Sequence, residues 1–325
     1  MNLAALLSEL KDRPSGYTFT VAPAPGNQNV LLGLDTTGHP VLFVVAEAGP
    51  VEPPLRTGKV SLHIGQSYSL AGMNDSPRVE LLHALRCETS DPADVETFLL
   101  LAEAFLARHE DGGANRQSLT SFFRSMVRLF AVTPAKDLRA EQRGLWGELF
   151  MMSRVRGFQF WAPFWHSEVT RRFDFSSGRN RVEVKITTQP DRTHHFSHRQ
   201  IYALEGEEIV IASLVASEDD SGISLRQLIE DCRSALLGTP DYLKLEKAVR
   251  RAGMESSTEP GPVINANEAE ESLAWFHSRD IPHFRVPEPL GVTETRYRVD
   301  LSTAPRLTAA ELDEWLTCGR YSLCP

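Results

Sequence analysis

The segment Asp174-Phe-Ser-Ser-Gly-Arg-Asn-Arg-Val-Glu183-Val-Lys185 combines an acid, a short polar turn and a Glu-x-Lys triplet. Residues i and i+2 of a strand project from the same face, so Glu183 and Lys185 stand together. Val182, Val184 and Ile186 fill the other face. If Ser176 to Asn180 closes a hairpin, Asp174 comes beside Glu183. Two carboxylates and an ammonium then converge on one point. That set suits a hard divalent cation: Mg²⁺ takes one or two carboxylates, keeps several waters and completes its shell with phosphate oxygens. Such an ion polarises a phosphodiester oxygen and lowers the pKa of a bound water. A neighbouring Lys stabilises developing charge or helps orient or deprotonate the nucleophile, and no covalent protein nucleophile is required.

The elements that must hold these residues follow from the hydrophobic pattern. A helix is expected from about Ala140 to Arg156, stopped by Gly157. Glu148 lies inside it among Leu145, Trp146, Leu149, Phe150 and Met152, which leaves little polar face. A Glu in such company is partly buried and needs a partner or a metal. Its alternative role is an ion pair with Arg143 or Arg154. Phe158 to Trp161, Phe173 to Phe175, Val182 to Ile186 and Ile209 to Val215 read as strands, and Leu225 to Leu236 and Tyr242 to Ala252 as amphipathic helices. Trp275 and Phe276 are expected on a short helix, Thr295 to Leu301 as a strand, and Leu307 to Leu316 as a last helix. Upstream, residues 17–88 carry short β-type runs separated by Pro/Gly-rich turns, which predicts a small antiparallel sheet or barrel. Two helical stripes follow, through Val95 to Leu106 and Leu119 to Phe130. The expected division is a β-rich domain over 1–90, a helical connector over 91–138 and an α/β domain over 139–325.

In the order Glu148, Asp174, Glu183-Val-Lys185 the chain resembles the PD-(D/E)XK nuclease superfamily. More closely, Gly-Leu-Trp-Gly-Glu148-Leu, Arg172-Phe-Asp-Phe, Val-Glu183-Val-Lys-Ile-Thr and His194-His-Phe-Ser-x-x-Gln200 resemble a family of PD-(D/E)XK motif proteins from prokaryotic defence islands. The motifs span roughly residues 139–216. The resemblance implies a restriction-endonuclease-like core, a central mixed sheet flanked by helices, within an α/β (α+β overall) protein. It implies Mg²⁺-dependent phosphodiester hydrolysis, with Mn²⁺ as substitute. It makes Asp174 and Glu183 metal ligands, with the Val184 carbonyl as a further one. Lys185 becomes the catalytic lysine and Glu148 the helix-borne acid, a candidate second or third carboxylate at the ion. Phe173 stands where the superfamily name has Pro. The expected substrate is DNA, and the expected setting is the nuclease component of a bacterial restriction-like antiviral defence system. ATPase and DNA methyltransferase partners are implied by that setting alone. An RNA substrate and a non-catalytic DNA-binding or assembly subunit are the competing readings. A homodimer is expected if both strands of a duplex are cut.

Around the motif, Ser197 is placed as a helix N-cap, with Gln200 facing the site or a phosphate. The alternative for Thr193 to Gln200 is a polar loop and cap. His194 and His198 stand at i,i+4, but without an intervening HExxH glutamate a zincin reading is poor. Arg171, Arg172, Arg179, Arg181, Arg192 and Arg199 are expected to track a phosphate backbone. Trp161 and Trp165 are read as core, with base stacking as the alternative.

Composition frames this reading. The 325 residues are 42% hydrophobic and 24% charged, an ordinary globular balance that excludes disorder as the main state. The net charge of −9 argues against nucleic acid, but it is unevenly distributed. Residues 121–200 hold 14 Lys/Arg against 7 Asp/Glu, whereas both flanks are acidic, so the motif lies in a basic middle. The four cysteines, Cys87, Cys232, Cys318 and Cys324, form no CxxC pair, which argues against zinc or a disulfide framework. No apolar run has membrane length and the N-terminus lacks a signal pattern, so a soluble cytoplasmic protein is expected.

Overall fold

The computed structural model describes residues 2–12, 19–46, 52–72, 77–109, 113–166, 172–255, 258–292 and 294–318. Arg171 and Cys324 lie outside the described residues. The protein is mixed α/β and divides into two compact units, Met1–Thr133 with Leu237–Glu246, and Pro134–Leu236 with Lys247–Pro325.

The first unit opens on α1 (Leu3–Lys11), a helix absent from the sequence reading. Leu3, Leu6, Leu7 and Leu10 are its buried stripe, and Asn2 caps it by accepting from the Ala5 amide. Six strands follow: β1 (Phe19–Ala24), β2 (Asn27–Leu34), β3 (Pro40–Val45), β4 (Leu55–Arg56), β5 (Val60–Ala71) and β6 (Arg78–Cys87). They pair in the order β1-β2-β3-β6-β5-β4. A parallel pairing of β1 with β5, Phe19 with Leu70 and Thr20 with Ala71, closes five of them into a barrel. Val21, Leu31, Val41, Phe43, Tyr68, Leu70, Leu82 and Ala84 fill it. Gly33 is needed there: a Cβ would stand 2.8 Å from the Phe43 ring. The helices expected as a connector, α2 (Pro92–Arg108) and α3 (Arg116–Phe130), are grouped with the barrel. Asp91 and Asn115 cap them.

The second unit begins with α4 (Leu138–Arg154), capped by Asp137. Arg156 and Gly157, with φ of 60° and 86°, turn the chain out of the helix. The next segment corrects the sequence reading: Phe158–Trp161 is a helical turn, α5, and not a strand. A four-residue apolar run carries no usable period. Then come β7 (Phe175–Ser177), β8 (Asn180–Thr187), β9 (Thr193–Ser197), α6 (His198–Ile201), β10 (Glu208–Val215) and β11 (Glu218–Ser224). After α7 (Leu225–Leu236), α8 (Tyr242–Arg251) has its first half in the first unit and its second half in this one. β12 (Val263–Ile264), α9 (Ala266–Ser272), β13 (Ala274–His277), β14 (Arg296–Asp300) and α10 (Ala309–Cys318) complete the described chain. Trp275 and Phe276 therefore lie on a strand, not on the expected helix. Pairing with β10, not local propensity, decides their state.

The central sheet runs β13-β10-β8-β7. β8 and β10 are parallel over eight pairs, from Asn180 with Glu208 to Thr187 with Val215, and both outer strands run antiparallel. α4 packs on one face, where Gly147 lets the helix approach; a Cβ there would stand 3.2 Å from Ile186 Cγ2. The other face carries Phe173, Phe196, Ile201, Ile209, Ile211, Phe276, Ile281, Val299 and Leu301, roofed in part by the β9–β14 ribbon. Among the described residues no helix is long and apolar enough to cross a membrane. Cys87 and Cys232 are buried free thiols.

Candidate active site

The hairpin forms as the motif requires. Ser177 pairs with Asn180 across a two-residue turn at Gly178-Arg179, and Phe175 pairs with Val182. Continued one step, this register sets Asp174 opposite Glu183. Gly178 supplies the positive φ, 55°, that the tight turn needs. Asp174 is held from both directions. Its carbonyl accepts from the His166 amide at 2.8 Å, and its Oδ2 accepts from the Val184 amide at 2.7 Å. Val184 thus enters the site through its N–H.

Glu183 is buried on the face of β8 away from α4. Its Oε1 accepts from Lys185 Nζ at 2.6 Å and from Gln200 Nε2. The sequence reading placed Gln200 at the site, and its position has a local cause. Ser197 caps α6, and its amide donates to Gln200 Oε1 at 3.0 Å, completing a capping box. The cap fixes one end of the Gln200 amide and leaves the other to hold Glu183. Lys185 Nζ also lies 5.6 Å from the Phe196 ring centroid. Glu148 arrives from α4, on the opposite face of the sheet. Its Oε2 accepts from Trp165 Nε1 at 2.6 Å, in place of an ion pair with Arg143 or Arg154. Arg154 pairs with Glu270 instead, at 3.3 Å. Trp161 and Trp165 are both fully buried, as core residues.

The electrostatics link the two faces. Burial, and then the charge of Asp174, raise the proton affinity of both glutamates: Glu183 is pushed up to about 8 and Glu148 well above the usual carboxylate range. Burial also raises Asp174, against the pull of Lys185 and the Val184 amide. Burial alone would lower the Lys185 ammonium, but Glu183 and Asp174 together hold it above its ordinary value. Asp174 is therefore the common neighbour of the two glutamates, and one lysine serves three carboxylates.

A divalent cation fits this arrangement on two counts. Glu183 Oε2 is buried with no hydrogen-bond partner among the described residues. Three carboxylates of raised proton affinity lack positive charge, which is the condition a hard cation relieves. Asp174 and Glu183 are the pair that would hold it. Among the described residues no three His, Cys, Asp or Glu side chains form a set able to hold an ion. Two carboxylates with waters suffice for Mg²⁺.

Two residues outside the sequence reading join the site. A cleft of about 390 Å³ is lined by Glu141, Gly144, Glu148, Asp174 and Arg251, among others. Arg251, at the end of α8, pairs with Glu141, and its charge favours the ionised forms of Asp174 and Glu148. Glu141 lies seven residues before Glu148 on α4, two turns along one helix face, a spacing that could have flagged it. Nothing in the sequence pointed to Arg251.

The expected phosphate-tracking arginines are mostly engaged within the protein. Arg172 binds Glu207 at 3.0 Å and the carbonyls of Arg199 and Tyr202. Arg181 pairs with Glu207 and with the hairpin carbonyls of Gly178 and Asn180. Arg192 is buried, donating to Ser213 and to the Ser272 carbonyl. Arg179 is exposed and lies over Gly206, and exposed Arg199 reaches Glu288 at 3.5 Å. His194 bonds Ser213 from β9 while His198 bonds Tyr297 from α6, so the two histidines belong to separate contacts.

The sequence profile of a family described as "Putative PD-(D/E)XK family member, (DUF4420)" matches residues 5–302. No curated protein and no solved structure gives a significant match.

Proposed function

This chain belongs to that PD-(D/E)XK family, and from this premise we propose that it is a Mg²⁺-dependent nuclease acting on DNA. The observation that carries the proposal is the gathering of Asp174, Lys185 and Gln200 about Glu183, whose second carboxylate oxygen is buried with no partner among the described residues. The order α4, β7, β8, α6, β10, with β8 and β10 parallel, supports reading the second unit as a restriction-endonuclease-like core.

Asp174 and Glu183 hold the ion in this reading. When bound, the ion supplies Lewis acidity toward a phosphodiester oxygen and acidifies a water. The Val184 amide fixes the Asp174 carboxylate, and Gln200 fixes that of Glu183. Lys185, kept protonated by its acidic neighbours, offers a cation to the charge that develops on phosphate. Glu148, on its Trp165 donor, adds negative charge behind the pair. Mn²⁺ serves the same oxygen donors as Mg²⁺. The defence setting, with ATPase and DNA methyltransferase partners, rests on the sequence resemblance alone.

The test is plasmid cleavage with Mg²⁺ or Mn²⁺ by wild type, Lys185→Ala and Asp174→Ala, with calorimetry of metal binding. The expected outcome is cleavage lost in both folded variants and metal binding lost in Asp174→Ala. Wild type that neither cuts nor binds metal would replace the enzyme reading with that of a non-catalytic assembly subunit. Cutting of RNA alone would change the substrate and leave the chemistry.

A further inference from the structure

We infer that Arg139 and Arg143 form a phosphate clamp on α4 that holds a nucleic-acid backbone. The inference rests on the nuclease reading for its ligand and on a different part of the molecule for its observations.

The site is short of accessible positive charge. Its cleft carries Asp137, Glu141, Glu148 and Asp174 against Arg251, and Glu141 already pairs with that arginine. A polyanion therefore needs cations outside the cleft to hold it. Arg172, Arg181 and Arg192 are tied into the fold, as described above. Arg139 and Arg143 are not: neither forms an ion pair with any described residue. Arg139 is exposed and Arg143 half-buried, with its Nε directed at the Arg139 carbonyl at 3.4 Å. At i,i+4 the two guanidinium groups share one helix face. They line a cavity of about 250 Å³ with Gln142, Glu218, Gly261 and Pro262. The one carboxylate in that lining is Glu218.

The far wall of this cavity is built rigidly. Trp146 Nε1, one turn further along α4, donates to the Ile223 carbonyl at 2.8 Å and pins β11 to the helix. β11 pairs with β12, where Gly222 is obligatory because a Cβ would stand 2.1 Å from the Ile264 oxygen. The Pro260 and Pro262 carbonyls then accept from the first two amides at the start of α7. Arg226 Nη2 closes the loop onto the Met254 carbonyl at 2.8 Å. Gly261 and Pro262 are thereby fixed opposite the two arginines. Arg143 precedes Glu148 by five residues, about 7.5 Å along the helix axis and about 140° around it, so the clamp and the cleft occupy different faces of α4. Phosphate contacts of this kind position a substrate without reading its sequence.

The experiment uses the full chain and a fluorescein-labelled 20-base-pair duplex of arbitrary sequence in EDTA, so that binding is read without cleavage. Anisotropy titrations are run across a series of salt concentrations. Arg139→Ala/Arg143→Ala should bind at least 10-fold more weakly near 150 mM salt. Its log K against log[salt] slope should be smaller by about 1.8, the value for two lost phosphate contacts. Arg139→Lys/Arg143→Lys should keep most of the slope, and Arg296→Ala, elsewhere on the surface, should stay within 2-fold. Circular dichroism confirms that each variant is folded. An unchanged affinity and slope in the double alanine variant overturns the clamp, as does a wild type that binds no duplex in EDTA. Cleavage with Mg²⁺ is scored separately. Binding lost in the double alanine variant, with no cleavage by wild type, sustains the clamp and removes the nuclease. Lys185-dependent cleavage with unchanged binding in that variant does the reverse.

Discussion

Among the described residues Glu183 is held by two donors on one oxygen and none on the other, and this sets a conflict between stability and use. Its carboxyl, raised to about 8 in the fold against an ordinary 4.5, favours folding only while protonated. The contribution is complete below pH 4.5 and is lost as pH rises through 8. Glu183→Gln is therefore expected to stabilise the metal-free protein above pH 8, by on the order of 2 kcal/mol, in denaturant titrations. On the proposed function, the same variant should lose cleavage and the rise in melting temperature expected from Mg²⁺ binding. A variant less stable than wild type at pH 8.5 would show that the carboxylate is not the strained member. At this scale most of the site was legible. Asp174, Glu183 and Lys185 are linked by a hairpin of a few residues, and Gln200 by a four-residue cap. Arg251 was not legible, because its place depends on α8 returning to α4 across more than a hundred residues. The surroundings of the arginines were not legible for a related reason. Their number near the motif was visible, but the carbonyls and Glu207 that occupy them were not.

Among the elements, α4 has the narrowest tolerance. It approaches β8 through Gly147 and carries Glu148 on the next residue. Gly147→Ala must push the helix off Ile186 by a few tenths of an ångström. A loss of about 1–2 kcal/mol is expected by chemical denaturation. Cleavage should fall by more than that loss of stability accounts for, because Glu148 moves with the helix. The β9 strand has a different vulnerability. His194 is buried against Ser213 of β10, and burial, reinforced by Lys185 and Arg192, lowers it to about 3. A depressed histidine favours the fold fully above its unfolded value near 6.5 and loses that contribution as pH falls toward 3. The acid limb of stability should carry on the order of 4 kcal/mol from this group. Melting temperature followed from pH 7 to pH 4 should fall less steeply in His194→Asn than in wild type. Periodicity found α4, α7, α8 and the parallel strands because each is long enough to show its repeat. It failed at α5 and β13, four residues each, where neighbours decide the state.

At the level of the whole molecule, the two units interrupt one another along the chain. Leu237–Glu246 belongs with the barrel unit, although more than a hundred residues of the other unit precede it. Thr239, Pro240, Tyr242 and Leu243 form one wall of a cavity of about 400 Å³ whose other walls include Leu101, Phe105 and Phe122. Domain boundaries drawn from composition shifts are continuous by construction, and so could not propose such a segment. A fragment ending at residue 133 lacks this wall. It is expected to bind a hydrophobic dye such as anilinonaphthalene sulfonate more strongly than the full chain does. It should also unfold at lower denaturant concentration. Equal dye binding and an equal midpoint would show that the returning segment contributes nothing to the barrel unit.

The returning segment also sets a clock on synthesis. Residue 133 is made long before residue 246, and elongation rates of about 5–20 residues per second put roughly 6–23 s between them. During that interval the nascent barrel unit waits with its last wall missing while the nuclease-like sheet is being translated. The order of birth along the chain is therefore not the order in which the two units can be finished.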